Sequence, residues 1–294
     1  MGWLAFYDQF LSGLNLASIL FLIAAGFALV WGVLHIINFA HGSFYLIGAY
    51  MTYTLVQVFG DSGFAFFLAL IFGPIAVALV SAVVEVFLFR RIYDAHMLYQ
   101  FVMTFGLVYI FSDLMRLTWG QHPYSLKRPS FLSSSISFTG AKFPSYFLFT
   151  LVIACAAGLL LWIILHKTKF GKIVRAVHQD TEMAGALGIN VPRVRTAVFV
   201  IGSYLAGLGG AVAAGSQAIF PGIDAEVTIV AFIVIIIGGP GGLGGPLVGA
   251  LLVGLVEAFG IMVLPQFAVV FMYFVVVIVL LVRPWGLVGK ESLN

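Results

Sequence analysis

Long apolar runs separated by short polar segments dominate the pattern of this 294-residue chain. A helix needs about 20 apolar residues to cross the roughly 30 Å hydrocarbon core of a bilayer, and runs of that length recur from end to end. The predicted segments are 10–33, 37–58, 64–89, 98–117, 144–165, 196–215, an interrupted segment at 227–260, and 265–282. The pattern therefore predicts an all-α polytopic membrane protein with about eight to nine hydrophobic segments and at least one broken helix.

Composition agrees with this class and narrows the domain organisation. The chain is 62% hydrophobic and 9% charged, against roughly 25% charged residues in soluble proteins. No polar stretch reaches the roughly 50 residues of a small soluble domain, so residues 1–294 are predicted to form a single transmembrane domain. Cys155, the one cysteine, excludes an intrachain disulfide. The N-terminal residues lack the basic region of a cleavable signal peptide, which predicts a retained first span.

The distribution of basic residues predicts the orientation of the chain. Loops rich in Lys and Arg stay in the cytoplasm, which places the basic loop 166–195 inside. Counting crossings from this loop puts ten basic residues inside, namely Arg90, Arg91, Lys167, Lys169, Lys172, Arg175, Arg193, Arg195, Arg283 and Lys290. Four fall outside, namely Arg116, Lys127, Arg128 and Lys142. We therefore expect the N-terminus to lie outside and the C-terminus in the cytoplasm. The net charge of +3 then reflects basic loops at a lipid bilayer and does not indicate a nucleic-acid partner.

The loop 166–195 is far longer than a helix hairpin needs. Within it, Asp180 or Thr181 can cap a helix and Glu182 favours the positively polarised first turn. Helix-stopping Gly, Asn and Pro residues follow. These signals predict a short helix over residues 181–187.

This short helix carries a pattern suited to contact with another protein. Ala184 and Gly188 are four residues apart and share one side, while Met183 and Leu187 form an adjacent apolar ridge. Small residues beside an apolar ridge allow close approach of a partner. The alternative is a basic amphipathic segment lying on anionic lipid.

Four longer elements, together with this helix, resemble a known family. "E-M-A-x-x-x-G" at 182–188 is similar to the signature by which ABC importer permeases dock on their ATPase subunits, although the Ile-x-Leu-Pro run that completes the signature is missing. The elements "INFAHGSFYLIGAY", "GKIVRAVHQDTEMAGALGINVPRVR", "LAGLGGAVAAG" and "IIGGPGGLGGPLVGALLVGLVE" occur in this order. They resemble permeases for branched-chain amino acids, specifically the smaller of two related permease subunits, from about Leu14 to Gly286.

The resemblance implies an ABC importer permease fold in the cytoplasmic membrane of a bacterium or archaeon. It implies a heterodimer with a sister permease subunit, two cytoplasmic ATPase subunits that bind ATP and Mg, and a periplasmic amino-acid-binding protein. The solute would be leucine, isoleucine or valine, with urea or short-chain amides as the alternative. This chain would hold no catalytic residue, metal or cofactor. ATPase coupling would fall to the residues Glu182, Met183, Ala184, Leu187 and Gly188.

The residues themselves agree that ATP is hydrolysed elsewhere. The phosphate-binding pattern G-x-x-x-x-G-K-[ST] is missing, since Gly171-Lys172 is followed by Ile173. A formal G-x-G-x-x-G at 239–244 is interrupted by Pro240 and has no β-α-β context. A dinucleotide site is therefore rejected.

The Gly- and Pro-rich run at 238–249 makes continuous helix costly, at about 1 kcal/mol per Gly and about 3 kcal/mol per Pro. The apolar arm before it, 227–237, reaches only about 17 Å, which predicts a break at depth. Irregular backbone at depth lines a cavity or is buried in protein, so Gly239, Gly241 and Gly242 are candidate pathway residues. The alternative is a turn at the cytoplasmic surface.

The stretch "GVLHIINFAHGSFYLIGAY" places polar groups in an apolar run. If it is helical, Asn38 and His41 share a face, with Ser43 near the next turn and His35 one turn before. Such groups must face protein or water. Either they bond helices together, or Asn38, His41 and Gly42 hold open an irregular pathway segment, which is our interpretation. Metal ligation is not expected because no third ligand lies near.

Two alternative functions have weaker support in the sequence. The first rival is a channel or an ion-coupled carrier. Coupled carriers usually need a buried acid to hold the ion or proton, and Glu85 and Glu257, the acids expected near spans, lie towards the ends of apolar runs. A membrane-embedded enzyme needs a nucleophile-base or metal constellation, and none is recognisable. A transport permease driven by partner ATPases is the leading hypothesis.

Overall fold

The computed structural model describes residues 3–60, 62–93, 95–138, 141–239 and 242–289. Within them the helices are α1 (Trp3–Leu34), α2 (His41–Phe59), α3 (Gly63–Phe87), α4 (Met97–Trp119), α5 (Ser145–Lys167), α6 (Lys169–Gln179), α7 (Thr181–Ala186), α8 (Val191–Ala213), α9 (Ile223–Gly238), α10 (Gly244–Val263) and α11 (Ala268–Val282). An antiparallel hairpin of β1 (Ser135–Phe138) and β2 (Ala141–Pro144) joins α4 to α5.

The predicted all-α class is confirmed, but seven helices of the described residues, rather than eight or nine, are long and apolar enough to cross a membrane. They are α1, α3, α4, α5, α8, α10 and α11, two of them lengthened by a short adjoining turn. The other two predicted segments form α2 and α9. With 16 residues, α9 extends only about 24 Å, less than the hydrocarbon core.

The core forms around α8, which packs against α1, α2 and α3, while α1 also packs along α10. Small residues allow the backbones of these helices to approach closely. A Cβ added to Gly26 would lie 2.3 Å from the Gly202 carbonyl oxygen, and a Cβ added to Gly210 would lie 1.8 Å from the Tyr45 carbonyl oxygen. Close backbone approach through small residues is how membrane helices associate. The stripe that includes Gly202 and Gly210 is therefore a packing surface.

Large apolar side chains cover the outside of the bundle on α3, α4, α5 and α11. Exposed examples are Phe72, Tyr109, Leu160, Phe274 and Leu281. A soluble monomer rarely exposes an apolar surface of this extent. Such an apolar surface is stable in contact with the hydrocarbon of a bilayer, so these helices form the lipid-facing side of the bundle.

One end of the bundle carries α6 and α7, between the end of α5 and the start of α8; we call it the basic end. The end of α1 lies there, because the imidazole of His178 in α6 donates to the Gly32 carbonyl. The end of α9 lies there too, since the Trp31 and Phe232 rings are 6.5 Å apart. Irregular residues after α11 complete this end, with the Leu287 amide donating to the Ile237 carbonyl at 2.8 Å.

Candidate functional site

The predicted helix in the long basic loop is present as α7, Thr181–Ala186. Asp180 is its N-cap, and its carboxylate accepts a hydrogen bond from the Met183 amide at 2.9 Å. Glu182 occupies the first turn. Gly188 ends the element with a φ of +84°, a left-handed conformation that favours glycine. The prediction of residues 181–187 was one residue too long at its C-terminus.

The outward face of α7 differs from the predicted one. Met183 and Leu187 are 57% and 76% exposed, whereas Ala184 is only 2% exposed because it packs into the chain itself. The prediction that Ala184 and Gly188 form a small-residue contact surface was wrong for Ala184. Glu182, Met183, Leu187 and Gly188 remain accessible to a partner.

A second helix at the basic end, α6, was missed by the sequence analysis. Thr168 caps it by accepting from the Gly171 amide at 3.2 Å, and its apolar side buries Val174 and Val177. The signal was readable, because apolar residues recur at 170, 173, 174 and 177, the helical spacing. α6 packs against α5, α1, α7 and α8, so it links α7 to the bundle.

Two histidines join α6 to the segment that follows α1. The His178 and His35 rings stack with centroids 5.6 Å apart and an interplanar angle of 7°. His35 has a φ of +55°, which costs a residue with a side chain about 1–2 kcal/mol. Partial burial, and then His178 and Arg195, hold the pKa of His35 below its ordinary value, which favours the neutral ring. The docking candidate α7 is thus physically connected to the polar stretch.

The polar stretch is irregular from 35 to 40, and α2 begins at His41. Asn38 therefore does not share a helical face with His41: its side-chain oxygen accepts from the Ala40 amide at 3.0 Å. The His41 Nε2 donates to the Ile23 carbonyl of α1 at 3.1 Å. Both side chains are 0% exposed, so in this conformation they contact protein and line no accessible cavity.

The first turn of α2 is joined to the first two turns of α9. The Gly42 amide donates to the Thr228 hydroxyl at 3.1 Å, and the Ser43 hydroxyl donates to the Asp224 carboxylate at 2.8 Å. A Cβ at Gly42 would lie 2.1 Å from the Asp224 carbonyl oxygen, so only glycine fits there. This junction also contacts segment 35–40, because the Thr228 hydroxyl lies 3.1 Å from the Phe39 carbonyl.

Two acids at the start of α9 are not among the residues predicted from the sequence. Asp224 is buried and Glu226 is exposed, both in the first turn of the helix. The available signal was the "PGIDAEVT" run, in which acids follow Pro-Gly and precede an apolar stretch, as at a helix N-terminus. The statement that Glu85 and Glu257 are the acids near spans was therefore incomplete.

The predicted helix break is present, but its position differs from the prediction. α9 ends at Gly238 and α10 begins at Gly244. Gly239, with a φ of +87°, lies against the irregular residues after α11: a Cβ there would be 2.4 Å from the Trp285 carbonyl oxygen. Gly242 is exposed and Gly241 lies outside the described residues. The described residues on both sides of the break lie at the basic end, against the residues after α11, which favours the alternative of a turn near the surface over a break at depth.

Glu85 organises a second polar cluster at the basic end. Its carboxylate accepts from the Thr196 hydroxyl at 2.6 Å and the Tyr93 hydroxyl at 2.9 Å, and lies 3.4 Å from the Arg90 guanidinium. Burial, and then the Glu85 charge, raise the pKa of the Tyr93 phenol, which keeps it a donor. The cluster ties the end of α3 and the residues before α4 to the start of α8, just after α7.

The fold and the contacts at the basic end together indicate a class of protein. Apolar helices form a membrane bundle, and the irregular segment 35–40 lies between α1 and α2 within it. An accessible short helix at one end of the bundle is connected to that segment through α6. This is the architecture of a membrane-embedded transport permease.

The comparisons identify the family within that class. The model for the branched-chain amino acid transport system permease component matches residues 9–281. The chain belongs to this family, whose members are the permease, non-catalytic components of ABC importers. No solved structure matches the chain.

Curated relatives match over nearly their whole lengths. The high-affinity branched-chain amino acid transport system permease protein LivH of Escherichia coli (strain K12) is 28% identical, over 99% of this chain and 98% of the relative. The high-affinity branched-chain amino acid transport system permease protein BraD of Pseudomonas aeruginosa is 30% identical, over 98% of this chain and 97% of the relative. The probable LivH of Methanocaldococcus jannaschii is 26% identical over 94% and 90%.

Proposed function

We propose that this chain translocates leucine, isoleucine and valine as one of two membrane subunits of an ATP-driven importer. Its partners in this proposal are a sister permease subunit, two ATPase subunits and a periplasmic amino-acid-binding protein. The observation that carries the proposal is the full-length match to permeases named for high-affinity branched-chain amino acid transport. The accessible face of α7 supplies a physical means of receiving energy from a partner.

The docking element of this proposal is α7 with its C-terminal residues. Met183 and Leu187 form its exposed apolar pair, which would enter a groove on an ATPase subunit, with Glu182 and Gly188 at the edges. Ala184 would contribute indirectly, because its small buried side chain lets α7 pack closely against the rest of this chain. Large exposed apolar side chains are disfavoured in water, so cover by a partner suits this pair.

Movement of α7 would reach the pathway through contacts already described. α7 packs against α6, and His178 of α6 stacks on His35. Segment 35–40, which contains Asn38, then leads into His41 and the Gly42 junction with α9. A displaced segment would alter the packing of α2 against α9. Exchange between two such packings is the kind of two-state element that alternating access requires.

The glycine turn has a different role in this proposal. Gly239 and Gly242 would form a pivot at the basic end, where the end of α9 and the start of α10 meet the residues after α11, rather than a wall at depth. We propose that the basic end faces the cytoplasm of a bacterium or archaeon, because loops with most Lys and Arg remain inside. The N-terminus would then lie outside and the C-terminus inside.

The solute class is tested with the assembled complex in vesicles, supplied with the binding protein and internal ATP. Radiolabelled leucine uptake should fall when unlabelled isoleucine or valine is added in excess, because the solutes share the binding protein and pathway. Urea and acetamide at the same concentration should leave uptake unchanged. Competition by urea or acetamide, with none by valine, would assign the complex to amide import instead.

A further inference from the structure

A groove of about 510 Å³ lies between α1, α5 and α10. Its lining is almost wholly apolar and includes Leu14, Phe21, Leu151, Leu159, Leu247 and Leu251. Leu159 and Leu247 are exposed, so the groove opens sideways, on the surface of the bundle. From Leu151 to Trp162 it follows α5 for about 16 Å. Its length and lining suit one fatty acyl chain.

One end of the groove carries positive charge. Trp162 lines this end, and the Lys167 ammonium lies over its indole ring, 5.6 Å from the centroid. The His166 ring stacks on the same indole at 5.2 Å. These residues end α5, so the cation lies where the apolar span gives way to the polar basic end.

A helix N-terminus borders the same end. Gly244, the first residue of α10, lines the groove, as Trp162 does. The first turn of a helix carries partial positive charge and unpaired amide groups. The N-cap of α10 is Leu243, whose side chain offers no hydrogen-bonding group to them. A cation and a helix N-terminus therefore border the end of an apolar slot.

We propose that this groove binds an anionic phospholipid, with one acyl chain along α5 and the phosphate between Lys167 and the start of α10. Basic sites between membrane helices recognise anionic headgroups in this manner. The Lys167 cation beside Trp162 at the polar end of the groove favours an anionic headgroup there over the apolar side chains of a helix from a second chain. The bound lipid joins α5 to α10 beside the connection to α6. This inference does not depend on the identity of the solute.

The test uses the purified full-length chain, with its partners if they co-purify, and native mass spectrometry to count bound lipid. The probes are dioleoyl phosphatidylglycerol, which is anionic, and dioleoyl phosphatidylcholine, which is zwitterionic. We expect one phosphatidylglycerol to remain bound per chain in preference to phosphatidylcholine. Lys167→Gln should weaken this retention about fivefold, the effect of one basic residue near a membrane surface, whereas Lys169→Gln, two residues on, should not.

A second pair of variants tests the apolar part of the site. Cys155→Trp fills the groove, because Cys155 lines it, and should abolish specific retention. Ala156→Trp, on the neighbouring exposed position of α5, should leave retention unchanged. Equal loss in Lys167→Gln and Lys169→Gln, or normal retention in Cys155→Trp, would overturn the proposal. So would loss of the sister subunit from Cys155→Trp with lipid retention intact, since that result would assign the groove to protein.

Discussion

Replacing Leu187 with aspartate is expected to release the ATPase subunits from the complex and to abolish leucine uptake. Leu187 is the most exposed side chain of the apolar pair on the α7 face, at 76%. A carboxylate there would be buried without a partner at the proposed interface, and truncation of a central interface residue alone commonly costs about 2 kcal/mol or more. We expect at least a roughly 30-fold loss of ATPase affinity, measured by co-purification and by titration of the ATPase.

Two variants control for general damage to the basic end. Leu187→Met keeps an apolar side chain of similar volume and should retain near-normal binding. Gln179→Glu adds a negative charge on the exposed end of α6 without touching the apolar pair, and should bind normally. If Leu187→Asp keeps its ATPase subunits at full stoichiometry, α7 is not the docking element.

Replacing Gly42 with valine is expected to separate α2 from α9 and to destabilise the chain. A Cβ at this position would lie 2.1 Å from the Asp224 carbonyl oxygen and 2.2 Å from the Thr228 hydroxyl. Overpacking costs about 1–3 kcal/mol, and loss of the Gly42 amide bond to Thr228 adds about 1 kcal/mol. Thermal unfolding in detergent should therefore occur at a clearly lower temperature, and uptake per surviving complex should fall because the junction lies beside segment 35–40.

Gly106→Ala is the matched control for the Gly42 variant. Gly106 lies within α4, and a Cβ added there meets nothing within 4 Å. Alanine should stabilise this helix by roughly 0.5–1 kcal/mol. An unfolding temperature for Gly42→Val equal to that of the unaltered chain would contradict the packing of the α2–α9 junction.

The sequence was most informative where one periodic signal determines the structure. Apolar run length placed the long spans, and Asp180, Glu182 and Gly188 bounded α7 because capping and stop signals act within a few residues. The burial of Ala184 could not be obtained in this way. It depends on how α7 packs against α6 and α8, a tertiary contact that helical spacing does not specify.

The break in the α9–α10 segment shows a second limit. Gly and Pro correctly marked the interruption, but its depth was deduced from an arm assumed to begin near residue 227. The helix begins at 223, with buried Asp224 held by the Ser43 hydroxyl. That partner is distant in sequence, so local pattern alone could not reveal where α9 begins or what holds its first turn. The pairing of His35 with His178 escaped prediction for the same reason.

ATP dependence of solute flux tests the account most directly. Vesicles containing this chain, its sister permease and the ATPase subunits should accumulate leucine only when the binding protein is present and ATP is supplied on the ATPase side. Uptake should stop without the ATPase subunits and remain unaffected by collapse of proton and sodium gradients. Comparable leucine accumulation without ATP or the ATPase subunits, driven by an ion gradient, would contradict the account and identify a coupled carrier.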